Sequence, residues 1–295
     1  MDRQQDHWAQ WLLKRRFGGD AASTGERAQF MERLLRVRDQ ILDRSALAPG
    51  ETLLDVGCGD GLIGFGALAR RAGTVIFSDV SADLIAVCRS AAMELGDLDR
   101  CRFLEAGAVD LAALSEQSVD VVTTRAVLIY VQAKQQAFDE FFRVLRPGGR
   151  ISVYEPINRF GHGERDEELF WFYPVDGLSE LAARIAAVYT DLQPPEVDPM
   201  LNFDERDLVR HAEEAGFFPI ELKLEAEIRP IEPRQWESFH NSAPNPKVPT
   251  VAEAMEQALT PEERERVVAH LRPLVEAGRG TWRMAHAHLY AVKPA

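Results

Sequence analysis

Three glycines alternate in the run Leu54-Asp-Val-Gly57-Cys-Gly59-Asp-Gly61, directly after a short apolar stretch and directly before a helical one. Glycine tolerates positive φ and lets a ligand lie against bare main chain. The run is therefore either a tight strand-to-helix turn or a cradle for a nucleotide-like ligand. Spacing sorts the ligands. A GxGxxG loop aims helix N–H groups at a pyrophosphate, but its third glycine would fall on Leu62 here. GxGxG preceded by the acid Asp55 suits a cationic ligand better than an anionic one. Asp79 closes the next apolar run, 18 residues after Gly61. A carboxylate at that place can accept from both hydroxyls of a ribose; its other reading is a strand-end turn residue. The cysteines Cys58, Cys88 and Cys101 are odd in number and lack CxxC spacing, so a disulfide framework or a zinc site is disfavoured and no metal is expected. His286 and His288 alternate along one side of a final apolar run, as a metal pair would or, as the residue types favour, as partly buried strand histidines.

These residues need elements to hold them. Apolar runs at 52–57, 74–79, 102–105, 118–123 and 150–155 alternate with helical patterns at 62–71, 81–95 and 134–145, and Arg146-Pro-Gly-Gly149 makes a turn. Strands of that length separated by helices form βαβ units and a parallel sheet covered on both faces. Ligands in such sheets sit beyond the carboxyl ends of the strands. That rule points to 57–61, Asp79, 107–109, 124–130 and 155–160. Ahead of the first strand, Trp8, Trp11 and Leu12 mark one amphipathic helix, and Phe30, Leu34, Val37 and Ile41 mark a second from about 26 to 44. After Glu155 the alternation stops. Helices are expected around 178–189, 204–216, 250–258 and 261–277, and strands at 217–228 and 283–292. The fold class is α/β, a doubly wound, mostly parallel sheet. Its expected layout is an N-terminal helical lid (1–50), a core (51–155), a cap insertion (156–200), a core continuation (201–228), a helical insertion (229–281) and a final strand (282–295).

Composition removes several functions. The chain has 34 Lys and Arg against 47 Asp and Glu, a net charge of −13. A surface that acidic repels phosphate backbones and anionic lipid, so neither a nucleic acid nor a membrane is expected as a partner. Residues 1–50 depart from this, with 9 basic against 7 acidic side chains. No apolar run reaches the roughly 18 residues of a membrane span, and the polar N-terminus lacks the apolar core of a signal peptide. A reducing cytoplasm is the expected location.

The glycine run, the acid at 79 and Phe141-Phe-Arg-Val-Leu-Arg-Pro-Gly-Gly149 before the fifth strand together resemble the signature of class I S-adenosylmethionine-dependent methyltransferases, over about residues 50–155. The likeness extends to small-molecule enzymes, including the quinone-methylating type. It implies a seven-stranded Rossmann-like methyltransferase sheet with helical cap insertions, whose seventh strand is antiparallel and inserted at the sheet edge. It implies S-adenosylmethionine as cofactor, with S-adenosylhomocysteine as product. By position, it assigns Asp55, Gly57, Cys58 and Gly59 to the methionine part and Asp79 to the ribose. Val80, Ala108 and Val109 fall to the adenine, and Arg125 lies beside the sulfonium. Many relatives carry an acid in the third-strand loop. Here that loop reads Ala106-Gly-Ala-Val109, which leaves the adenine amino group to the backbone or to Asp110.

Methyl transfer from a sulfonium is an in-line displacement in which positioning supplies much of the rate. A hydroxyl acceptor usually needs a base or a metal as well. Thr123-Thr-Arg-Ala126 is not the Asn/Asp-Pro-Pro-aromatic run of amino-adenine and glutamine targets, and no Pro-Cys nucleophile occurs. Position alone nominates His162, Glu155 and Tyr130 as catalytic and Asn158, Arg159, Trp171 and Tyr173 as acceptor contacts. Trp171 to Tyr173 either line an aromatic pocket or pack the cap. Trp8 and Trp11 either close over the cofactor or belong to the core. The leading expectation is transfer to a small N, O or C acceptor by a monomer or homodimer. The competing readings are a protein or RNA methyltransferase and a protein that binds S-adenosylmethionine without catalysis.

Overall fold

The computed structural model describes residues 24–161, 168–169 and 172–295. Seven strands make one sheet: β1 (Thr52–Val56), β2 (Thr74–Asp79), β3 (Cys101–Glu105), β4 (Val119–Arg125), β5 (Leu145–Pro156), β6 (Ile220–Pro230) and β7 (Thr281–Val292). Their order is β3-β2-β1-β4-β5-β7-β6. β1 to β5 pair in parallel, and β7 runs antiparallel to both neighbours. The strand expected at the edge thus lies one place inward, between β5 and β6. β5 also begins earlier than its apolar run, at Leu145, because Gly148 and Gly149 pair with Lys293.

Strands β1 and β2 are buried along almost their whole length. Both of their faces are covered, which is why they read as continuous apolar runs rather than alternating ones. One face of the sheet carries α1 (Thr24–Arg44), α2 (Leu62–Ala69) and α3 (Ala82–Leu95), whose Ile41, Leu42, Ile63, Ala67, Ile85 and Cys88 form a core with Leu53 and Phe77. The other face carries α4 (Lys134–Val144) and α6 (Glu205–Ala215), packed through Phe138, Phe141 and Leu208. Helix ends follow local chemistry. Ser81 caps α3 by accepting from Leu84 N–H at 3.1 Å, and Asp204 opens α6 with a capping box.

Residues outside the sheet have a core of their own. Helices α5 (Ser179–Leu192), α7 (Trp236–His240), α8 (Val251–Ala258) and α9 (Pro261–Ala277) bury Ile185, Trp236, Phe239, Met255 and Leu271 together with Tyr173. The two insertions therefore pack as one body. Arg184 of α5 ties it together, reaching Glu263 of α9 at 2.7 Å. A two-stranded pair, Glu168–Leu169 with Tyr173–Pro174, lies beside it.

Candidate active site

A cavity of about 2900 Å³ lies between the carboxyl edge of the sheet, α1 and the second core. The glycine run forms part of its floor. Gly57, Gly59 and Gly61 all have positive φ, and a Cβ on Gly57 would stand 2.4 Å from Val127 Cγ2. That closeness leaves main chain as the surface the cavity meets. Asp55, on β1 beneath the loop, is 1% exposed. It accepts from Gly64 N–H at 3.0 Å and from the Thr123 hydroxyl at 3.3 Å. Burial pushes its carboxyl up to about 7, against the opposing pull of those two donors and of Arg125. Such a group gains from a cation brought beside it.

Asp79 ends β2 at the cavity wall, its two oxygens accepting from Gly59 N–H at 2.9 Å and Ser81 N–H at 3.0 Å. The acid thereby fixes the glycine loop to the second strand. Its neighbour Val80 is 64% exposed at the cavity, an apolar side chain held open beside the Gly107–Val109 turn. Ala108 and Val109 line the same region, whereas Asp110 is exposed and accepts from Ala112 N–H. Asp110 is not among the residues that line the cavity. Cys58 lies 3.9 Å from Cys88, sulfur to sulfur, both buried under the loop. Arg125, Tyr130 and Asn158 line the cavity beyond the loop.

Other expected site residues lie elsewhere. Glu155 is fully buried on the opposite face of the sheet, not in the cavity. Its carboxylate accepts from Val127 N–H at 3.0 Å, Ile129 N–H at 3.2 Å and the Thr124 hydroxyl at 3.2 Å. It therefore anchors the loop after β4. Arg159 is exposed outside the cavity. Tyr173 is 0% exposed in the second core, edge-on to Phe239 at 5.5 Å, so it packs the cap. Phe172, stacked on Trp282 at 5.0 Å, faces the cavity in its place. His162, Trp171, Trp8 and Trp11 lie outside the described residues.

Sequence reasoning missed a second polar wall. Tyr154 of β5, Glu225 and Glu227 of β6 and His286 of β7 all line the cavity. Register explains their grouping. Arg125, Tyr154, His288 and Lys223 stand in one row across β4, β5, β7 and β6, with Pro156, His286 and Glu225 in the next row outward. Directly paired residues share a face, so these side chains all stand on the face that carries α1. The Tyr154 ring stacks on His286 at 5.0 Å and meets His288 edge-on at 4.6 Å. Burial holds His286 below the ordinary imidazole range and takes His288 down to about 4. Both rings are neutral at pH 7. Among the described residues, no set of three or more His, Cys, Asp or Glu gathers as a metal ion would require.

Residues 54–153 match the family model described as a methyltransferase domain. Over 115 residues the chain is 34% identical to the arsenite methyltransferase of Halobacterium salinarum, covering 38% of this chain and 29% of that protein. Over 116 residues it is 35% identical to the ubiquinone/menaquinone biosynthesis C-methyltransferase UbiE of Hahella chejuensis, covering 39% and 46%. The chain thus spans less than half the length of either relative. A solved structure of geranyl diphosphate methyltransferase in complex with SAM shares the fold, with a TM-score of 0.52 at 20% identity and 93% of each chain covered. Fold, strand order and family model agree: the α/β core is a class I S-adenosylmethionine-dependent methyltransferase domain.

Proposed function

We propose that this chain transfers the methyl group of S-adenosylmethionine to a small molecule held in the cavity between sheet and cap. The observation that carries the reading is the continuity of that cavity. It runs from Gly57, Gly59 and Asp79, past Arg125 and Tyr130, to Phe172 and Phe239 of the second core. A protein or duplex needs an open face, whereas the insertions at 156–200 and 229–281 stand over this one.

The residues fit the cofactor. Asp79 suits the ribose hydroxyls and Val80 one face of the adenine, with the Gly107–Val109 backbone at its edge. Gly57 and Gly59 offer bare main chain to the methionine part, and Asp55 supplies negative potential below it. S-adenosylmethionine, when bound, supplies a methyl carbon already activated by its sulfonium. The work left to the chain is to orient the acceptor in line and to exclude water. Arg125, Tyr130 and Asn158, on the loops after β4 and β5, are placed for that. The free thiols Cys58, Cys88 and Cys101 support a reducing, cytoplasmic setting.

Titration calorimetry with S-adenosylmethionine tests the reading. Asp79→Ala is expected to weaken binding by about 1–3 kcal/mol, from the loss of charge-assisted hydrogen bonds to the ribose. No binding by the unmodified chain would refute the function, and unchanged affinity in the variant would remove Asp79 from its role.

A further inference from the structure

The geometry points to His286 as the proton acceptor for an acidic hydroxyl, phenolic or enolic, seated on the β5–β7–β6 wall beside Tyr154 and Arg125. This inference rests on the methyl-transfer reading above and names the acceptor class of that same site.

Four observations converge on it. The His286 ring lines the cavity, stacked on Tyr154, and its nitrogens make no hydrogen bond to any described residue. The groups that face it are Tyr154 from β5, Glu225 and Glu227 from β6, His288 from its own strand, and Arg125 from β4. Arg44 of α1 faces the same cluster, acting on His288 and Glu225. Both carboxylates favour the imidazolium once it forms, so a proton received by His286 is held. The Arg125 guanidinium, by contrast, has no hydrogen bond or ion pair among the described residues, although its charge acts on both Asp55 and Tyr154. A cation at the sulfonium end of the cavity stabilises a developing oxyanion and repels a protonated amine. Phe172, stacked on Trp282, gives flat apolar surface at the cavity for a planar acceptor.

The step balances. The hydroxyl proton passes to an imidazole nitrogen of His286. The oxygen electron pair forms the new oxygen–carbon bond with the methyl carbon, while the carbon–sulfur pair returns to sulfur and leaves a neutral thioether. The proton later leaves His286 to solvent. Because His286 must be neutral to act, and burial holds it below the ordinary imidazole range, activity on such acceptors declines only on the acid side of that range.

The test uses 4-nitrocatechol, whose absorbance reports ionisation, bound to the full chain with S-adenosylhomocysteine. On the unmodified protein the bound probe is expected to ionise at least about one pH unit below the free probe. As it does so, one histidine ring signal should move to the imidazolium position by NMR. His286→Gln and His286→Asn should abolish both effects and slow methyl transfer to phenols by about 10²-fold or more. S-adenosylhomocysteine affinity should stay unchanged, which shows that the variants fold. An unshifted probe on the unmodified protein, no histidine signal moving with it, or a shift surviving in the variants would overturn the assignment while the methyl-transfer reading stands. So would faster transfer to amines than to phenols. Failure of the unmodified protein to bind S-adenosylhomocysteine would overturn both.

Discussion

At the scale of single residues, neighbouring side chains on a strand have opposite fates. Tyr154 and Glu155 are adjacent in β5, yet the first lines the cavity and the second is sealed on the far face. Period-two alternation alone separates them. Asp55 shows how a buried acid is held against its own solvation. Its carboxyl titrates near 7 in the folded chain and near 3.8 when unfolded. A raised folded value means that the native state holds the proton more tightly. The stabilising contribution is therefore complete below about pH 4 and is lost as the pH rises through 7. At about 1.4 kcal/mol per unit, the loss is at most on the order of 4 kcal/mol. Asp55→Asn should abolish it. The stability difference between variant and unmodified chain, from urea unfolding at a series of pH values, should grow in favour of the variant between pH 4 and 7. A difference independent of pH would show that Asp55 ionises freely.

At the scale of elements, the glycines of α2 set how near helix and sheet approach. A Cβ on Gly64 would lie 2.2 Å from the Phe77 ring, and the Gly64 N–H is the donor to Asp55. Gly64→Ala should cost about 1–3 kcal/mol by overpacking. Adding Phe77→Leu should recover part of that cost, seen as non-additivity in a double-mutant cycle; strict additivity would mean that the contact does not limit the packing. The glycine loop and the strand runs could be read in advance, because each depends on a few consecutive residues. The seven-stranded, mostly parallel sheet came with the family resemblance, which put β7 at the edge and not one place inward. Local reasoning stopped where position depends on distant pairing. Glu155 looked like a carboxylate at a strand end until β5 proved to continue to Pro156. The alternation of His286 and His288 was visible, but not which face they occupy, since that follows from β7 pairing with β5 and β6. Tyr173, one residue from cavity-lining Phe172, was lost to the second core for the same reason.

At the scale of the molecule, the cap core faces the sheet across the cavity. The cap core draws on residues from both sides of β6, from Tyr173 to Ile185 and from Ile231 to Val275. Leu271 is fully buried in it, and Leu271→Ala should destabilise it by about 2–5 kcal/mol. Hydrogen exchange should quicken in α5, α8 and α9 while amides of β1 to β5 keep their protection. Equal quickening throughout would show one cooperative unit. The placement of β7 has a consequence for the far wall of the cavity. The strand that joins β6 to the rest of the sheet follows the other six in the chain, and Lys293 secures it by donating to the carbonyls of Phe142 at 2.7 Å and Leu145 at 2.8 Å. Without that one strand β6 would have no neighbour in the sheet, and the cavity would lose the histidine-bearing wall that faces its glycine loop.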